Sequence, residues 1–196
     1  MSPGPAKSFD PRIALERARD LFWRRGYAAT GIAELEVALG IGRKSLYDTF
    51  GSKRELFLRA LEHYADTVIK RICDGLEDPR GAPLVNLERV LEKLAKHHGS
   101  PGGIGCLLGV AMAQSGSDDA ELAALLRGYL KRLEHAFERA LEAARRDGAI
   151  DASVDPTDAA RNLVALTQGM ALIGRITEAP TAQRAVVRAA LHALKR

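Results

Sequence analysis

The chain has 196 residues, 46% of them apolar and 28% charged, with 29 Lys and Arg against 25 Asp and Glu for a net charge of +4. This is the composition of a globular protein long enough to bury a core, and no run approaches 18 consecutive apolar residues, which excludes a membrane-spanning helix. Two cysteines, Cys73 and Cys106, are too few for a disulfide scaffold and read as reduced thiols.

The opening MSPGPAKSFD has no apolar core of a secretory signal. Residues 1–9 read as a flexible tail, and the expected location is cytoplasmic. Asp10-Pro11 offers an N-cap followed by proline at the first helical position, and Gly26 offers a stop. Ala14, Ala18, Leu21 and Phe22 share one face between them. A short helix from about Gly31 to Leu39 ends at Gly40, and Gly42 opens another that ends near Thr49. Ser52-Lys53-Arg54-Glu55 has the form of a capping box and starts a long helix to about Cys73. DPRGAP (78–83) breaks it. A helix over about 84–98 follows, then the loop GSPGGIG (99–105) and an apolar helix from Cys106 to Gln114. SGSDD (115–119) caps a helix over 120–147, GAIDASVDP leads to one over 157–178, and a last helix spans about 181–195. Alternating strand patterns are nearly absent. The expectation is all-α with about nine helices: a three-helix head over 10–51 and a helical regulatory and dimerisation body over 52–196.

The basic excess lies at the front. Residues 1–56 hold ten Lys and Arg against seven Asp and Glu, whereas the remainder is nearly balanced. In Gly40 to Leu56, GIGRKSLYDTFGSKREL, two short helices joined across Gly40 fit a helix-turn-helix. Leu35, Leu39, Ile41, Leu46 and Phe50 can lock the pair, leaving Arg43, Lys44, Ser45, Tyr47 and Asp48 near the opposite side. First-turn residues of a recognition helix reach base edges, and an arginine there can contact guanine O6 and N7 together. Tyr47 can donate to a phosphate, and Lys53 sits at a helix N-terminus that favours an anion. A plain helical hairpin with solvated lysines fits the same spacing. Glu36, four residues before the turn, stands where such motifs keep a small side chain; a sideways course toward Arg43 or Lys44, or a wider crossing, would accommodate it.

Thr30, Gly40-Ile41, Leu46-Tyr47, Phe50 and Ser52-Lys53-Arg54-Glu55-Leu56, with Leu21-Phe22 and Gly26-Tyr27 upstream, resemble the N-terminal domain of the TetR/AcrR family of transcriptional repressors. The resemblance is specific over about 12–60. Gly31 and Gly42 depart from it, each replacing a side-chain cap. GCLLG at Cys106 is similar to an element of some branches. The resemblance implies DNA contacts from Thr30, Arg43, Lys44, Ser45, Tyr47 and Lys53. It also implies a homodimer on a near-palindromic duplex operator, and a small-molecule pocket in the body whose filling shifts the helix from Ser52 and releases DNA.

Large side chains of the body helices, Tyr64, Met112, Tyr129, Phe137 and Met170, with Gln168, suit either a ligand cavity or plain core; a neutral or anionic organic ligand is expected. Val186, Val187, Ala190, Leu191 and Leu194 form a stripe on the last helix that a partner subunit or the chain's own body would cover. Cys106, at a helix start where a thiolate is favoured, carries the alternative of a thiol redox-sensing regulator. His97-His98 lack the further ligands a metal site needs, and PGGIG has no preceding strand to make it a dinucleotide fingerprint. No cofactor, metal or catalytic group is expected.

Overall fold

The computed structural model describes residues 9–114 and 119–195. All of the expected flexible tail but Phe9, and the first four residues of the expected cap at 115–119, lie outside these residues. The remaining cap residue, Asp119, accepts the Leu122 N–H at 3.0 Å. Every regular element among the described residues is helical: α1 (Pro11–Arg25), α2 (Ile32–Leu39), α3 (Arg43–Phe50), α4 (Lys53–Tyr64), a π-helical turn (Ala65–Ile69), α5 (Lys70–Leu76), α6 (Pro83–Gly99), α7 (Leu107–Gln114), α8 (Ala120–Arg146), α9 (Pro156–Gly174) and α10 (Pro180–Ala193). With the unbroken helical stretch 53–76 counted once, these are nine helices. Two compact units divide between Tyr64 and Ala65. The sequence reading put the division before Ser52; the aromatic contacts between α1 and α4 are what bind α4 to the first unit.

In the first unit, α1 starts where Asp10 accepts the Arg12 N–H at 2.8 Å, with Pro11 in the first turn. Phe22 of α1 meets Phe57 of α4 edge-on with centroids 5.1 Å apart, and Trp23 meets Tyr64 at 4.8 Å. Leu35, Leu39, Ile41, Leu46 and Phe50 are all buried, so α2 and α3 are locked as their spacing predicts. Gly40 closes α2 at φ +69°, a left-handed conformation that a β-carbon disfavours. The box at α4 forms in both directions: Ser52 Oγ accepts the Glu55 N–H at 3.1 Å, and Glu55 Oε2 accepts the Ser52 N–H at 2.6 Å.

In the second unit, α6 is the central element, packed by α5, α8, α9 and α10. Leu87, Leu91 and Ala95 are fully buried on it. Leu122, Leu126, Leu133, Phe137, Ala140 and Ala144 of α8 are buried at helical spacing. Two boundaries differ from the sequence reading. The long helix from Ser52 does not stay α-helical but widens to π geometry at Ala65–Ile69; its apolar spacing suits either form. The helix expected to reach residue 178 ends at Gly174, because the Ile176 and Thr177 N–H groups both turn back to the Ile173 carbonyl, at 3.0 and 3.1 Å. Gly174 lies so close to α6 that a β-carbon there would stand 2.1 Å from the His98 carbonyl oxygen.

Candidate nucleic-acid interface

The first turn of α3 has no side-chain cap, since Gly42 precedes it. Arg43, Lys44, Ser45, Tyr47 and Asp48 are exposed, while Leu46 and Phe50 face inward. Two arginines fix the frame beneath: Arg17 donates to the Leu39 carbonyl at 3.3 Å and Arg59 to the Thr49 carbonyl at 3.1 Å. Each supplies a donor to the last turn of a short helix, where carbonyls lack partners. Arg25 and Glu34 add an ion pair at 2.6 Å between α1 and α2.

Lys53 occupies the first position of α4. Its ammonium stands 4.3 Å above the centre of the Tyr27 ring, which itself packs on Phe57 at 4.9 Å. Partial burial holds the Lys53 pKa below the ordinary lysine value. The aromatic seat places the charge beside the N-terminus of α4 and attracts it through the ring quadrupole. The sequence reading missed this pairing, because residues so far apart in sequence leave no local pattern.

Thr30 requires a correction. It is only 1% exposed, and its hydroxyl donates to the Gly26 carbonyl at 2.6 Å. It ties the end of α1 to the start of α2 instead of facing out to a duplex. Glu36, the residue that sat awkwardly in the motif, takes the sideways course: its Oε2 lies 3.6 Å from Arg43 Nε.

In the second unit the predicted dimerisation stripe splits. Val187 is 0% exposed, and Leu191 and Leu194 are also buried within the single chain, on a helix that packs against α6. Val186 and Ala190 border two grooves between α9 and α10, and Leu194 borders one of them together with Ala190. One, of about 330 Å³, is bordered by Asp155, Asp158, Asn162, Leu163, Leu166, Ala190 and Leu194; the other, of about 370 Å³, is apolar and bordered by Leu166, Met170, Ile173 and Val186. Leu172, Ile173 and Ile176 are exposed beside them.

The predicted ligand residues do not form one cluster by burial. Tyr64 is buried in the first unit against Trp23. Phe137 and Met170 are buried in the second, Met112 and Tyr129 are half-buried, and the Gln168 Oε1 is buried near Gly109 without a hydrogen-bond partner among the described residues. Cys106 is 8% exposed and immediately precedes α7. Burial pushes the Cys73 thiol pKa up. His98 is 5% exposed, its Nδ1 has no hydrogen-bond partner among the described residues, and burial pulls its pKa down to about 4. Among the described residues no three His, Cys, Asp or Glu side chains group to hold a metal ion.

Residues 14–60 match the family pattern of "Bacterial regulatory proteins, tetR family", and residues 83–190 match "Tetracyclin repressor-like, C-terminal domain". The chain is similar to the uncharacterized HTH-type transcriptional regulator YezE of Bacillus subtilis, 30% identical over 89% of this chain and 90% of that protein. It is 37% identical to the HTH-type transcriptional repressor BdcR of Escherichia coli over 54% of each. A solved structure of the TetR family transcriptional regulator CifR, as a cysteine-substituted variant on 26-base-pair operator DNA, superposes with a TM-score of 0.86 at 26% identity, covering 97% of this chain and 100% of that one. The exposed α3 on its arginine-braced frame, the matched patterns and the shared fold lead to one conclusion: the chain belongs to the TetR family of transcriptional regulators.

Proposed function

We propose that the protein is a ligand-responsive repressor that binds a near-palindromic operator as a homodimer and leaves it when a small organic molecule fills the body. The observation that carries the DNA half is the outward face of α3, where Arg43, Lys44 and Tyr47 are exposed over a fixed frame. Arg43 reads a base edge, Tyr47, Ser45 and Lys44 contact the backbone, and Lys53 holds a phosphate at the start of α4. Thr30 is a structural residue in this scheme. The role is one of binding, without a catalytic step, in the cytoplasm. The dimer forms through the outer faces of α9 and α10, with Leu166, Ile173, Val186 and Ala190 in the two-fold contact. TetR-family regulators typically sense ligands, and Met112, Tyr129, Phe137, Gln168 and Met170 are this chain's candidates for that contact.

Selection of bound sequences from a random duplex pool tests the reading. A near-palindrome with half-sites about one helical turn apart, or a multiple of it, is the expected result; recovery of no preferred sequence would overturn it. Thiol sensing by Cys106 is a second reading, favoured by its place directly before α7. It expects an alkylating agent to release DNA from the wild type and not from Cys106→Ser.

A further inference from the structure

Glu36 brings a negative charge to the rim of a surface built for a polyanion. Its backbone is pinned at the turn, where its carbonyl accepts the N–H groups of both Gly40 and Ile41, at 3.0 and 3.2 Å. From there the side chain leaves the α2–α3 crossing and reaches the first residue of the recognition helix. Glu36 is 26% exposed and Arg43 63%, with the carboxylate 3.6 Å from Nε. An ion pair this open contributes little to folding, so stability does not account for a carboxylate in this position. What it does is geometric. The shortest approach of the carboxylate is to Nε, the inner nitrogen of the guanidinium, at 3.6 Å, which is an ion-pair distance and longer than a hydrogen bond. A guanidinium approached along that inner edge can still turn its two terminal nitrogens to a guanine for a bidentate contact.

We propose that Glu36 is a positioning residue for Arg43: it restrains the guanidinium by its inner edge and so sharpens the choice of base at one position in each half-site. The proposal rests on the DNA-binding reading above. An unrestrained arginine must give up side-chain freedom on binding, and its flexible reach tolerates more than one base or a neighbouring phosphate. A restrained one has less to lose and fewer alternatives.

The test uses the full-length protein and the duplex it selects from a random pool, together with duplexes carrying each of the three substitutions at every base pair of the half-site. Arg43→Ala identifies the pair that Arg43 reads. Glu36→Ala is expected to reduce discrimination at that same pair about five-fold or more, within the range one bidentate contact commands. Glu36→Gln, which keeps an acceptor of the same shape, is expected to lose less. In an Arg43→Ala background Glu36→Ala should have no further effect on discrimination, and the log–log salt slope should match that of the wild type because no phosphate contact is lost. Helical spectra and melting curves verify folding, with the isosteric Gln variant as the safeguard.

Equal changes in affinity for every duplex, with discrimination intact, would overturn the proposal in favour of plain repulsion. Loss of discrimination at a different base pair would overturn it too, by showing that Glu36 reads a base itself. Either result leaves the DNA-binding reading standing, whereas a wild type that selects no sequence would remove both.

Discussion

At the scale of single residues, the cations of the head divide by role. With Lys53 proposed to hold a phosphate, Lys53→Ala is expected to weaken binding to all duplexes, lowering the magnitude of the log–log salt slope by about one per subunit in a titration series. Arg43→Ala is expected to relax one base pair per half-site instead. His98 makes a different prediction. Its pKa lies at about 4 in the folded chain against an ordinary 6.5. The unfolded chain therefore takes up this proton first as pH falls. The stability that depends on neutral His98 is complete above about pH 6.5 and declines toward pH 4, by up to about 3 kcal/mol. Denaturant titrations between pH 7 and 4 should show that loss, and His98→Leu should flatten the part of the profile that His98 contributes.

At the scale of elements, the capping box and the terminal helix carry the expectations. Ser52→Ala should cost about 1 kcal/mol, read as a lower melting temperature, because the Glu55 N–H loses its acceptor. Val187→Asp should destabilise the chain itself, as it buries an unpaired charge on a fully covered site of α10. Ile173→Asp should leave the helical spectrum intact and yield monomers in sedimentation. The contrast shows where the sequence was legible. Helical spacing revealed that Val187, Leu191 and Leu194 share a face, yet periodicity cannot say whether that face meets a partner or α6. The α2–α3 lock was readable because its residues lie within sixteen positions of one another, from Leu35 to Phe50. The end of α9 was not. It depends on N–H groups folding back to Ile173, while Arg175 reaches across to the Ile104 carbonyl at 2.8 Å, a partner far along the chain. The π turn at Ala65–Ile69 likewise leaves no mark on the apolar pattern.

At the scale of the whole molecule, a ligand can change operator affinity only as far as it prefers one state of the protein. A hundredfold loss of DNA affinity needs about 2.7 kcal/mol of coupling, within the usual allosteric range. A metabolite and drug panel scored by melting temperature and operator binding should find compounds that move both, and a panel that moves neither would remove ligand sensing from the reading. Gly174 has a bearing on genetics. A β-carbon there would stand 2.1 Å from the His98 carbonyl oxygen, so Gly174→Ala must displace backbone at an overpacking cost of about 1–3 kcal/mol. That is a sizeable share of a marginal stability, and none of it falls on a DNA contact. Such a substitution should behave as a temperature-sensitive allele, with normal control of target genes in cool cultures, lost control in warm ones, and recovery on cooling.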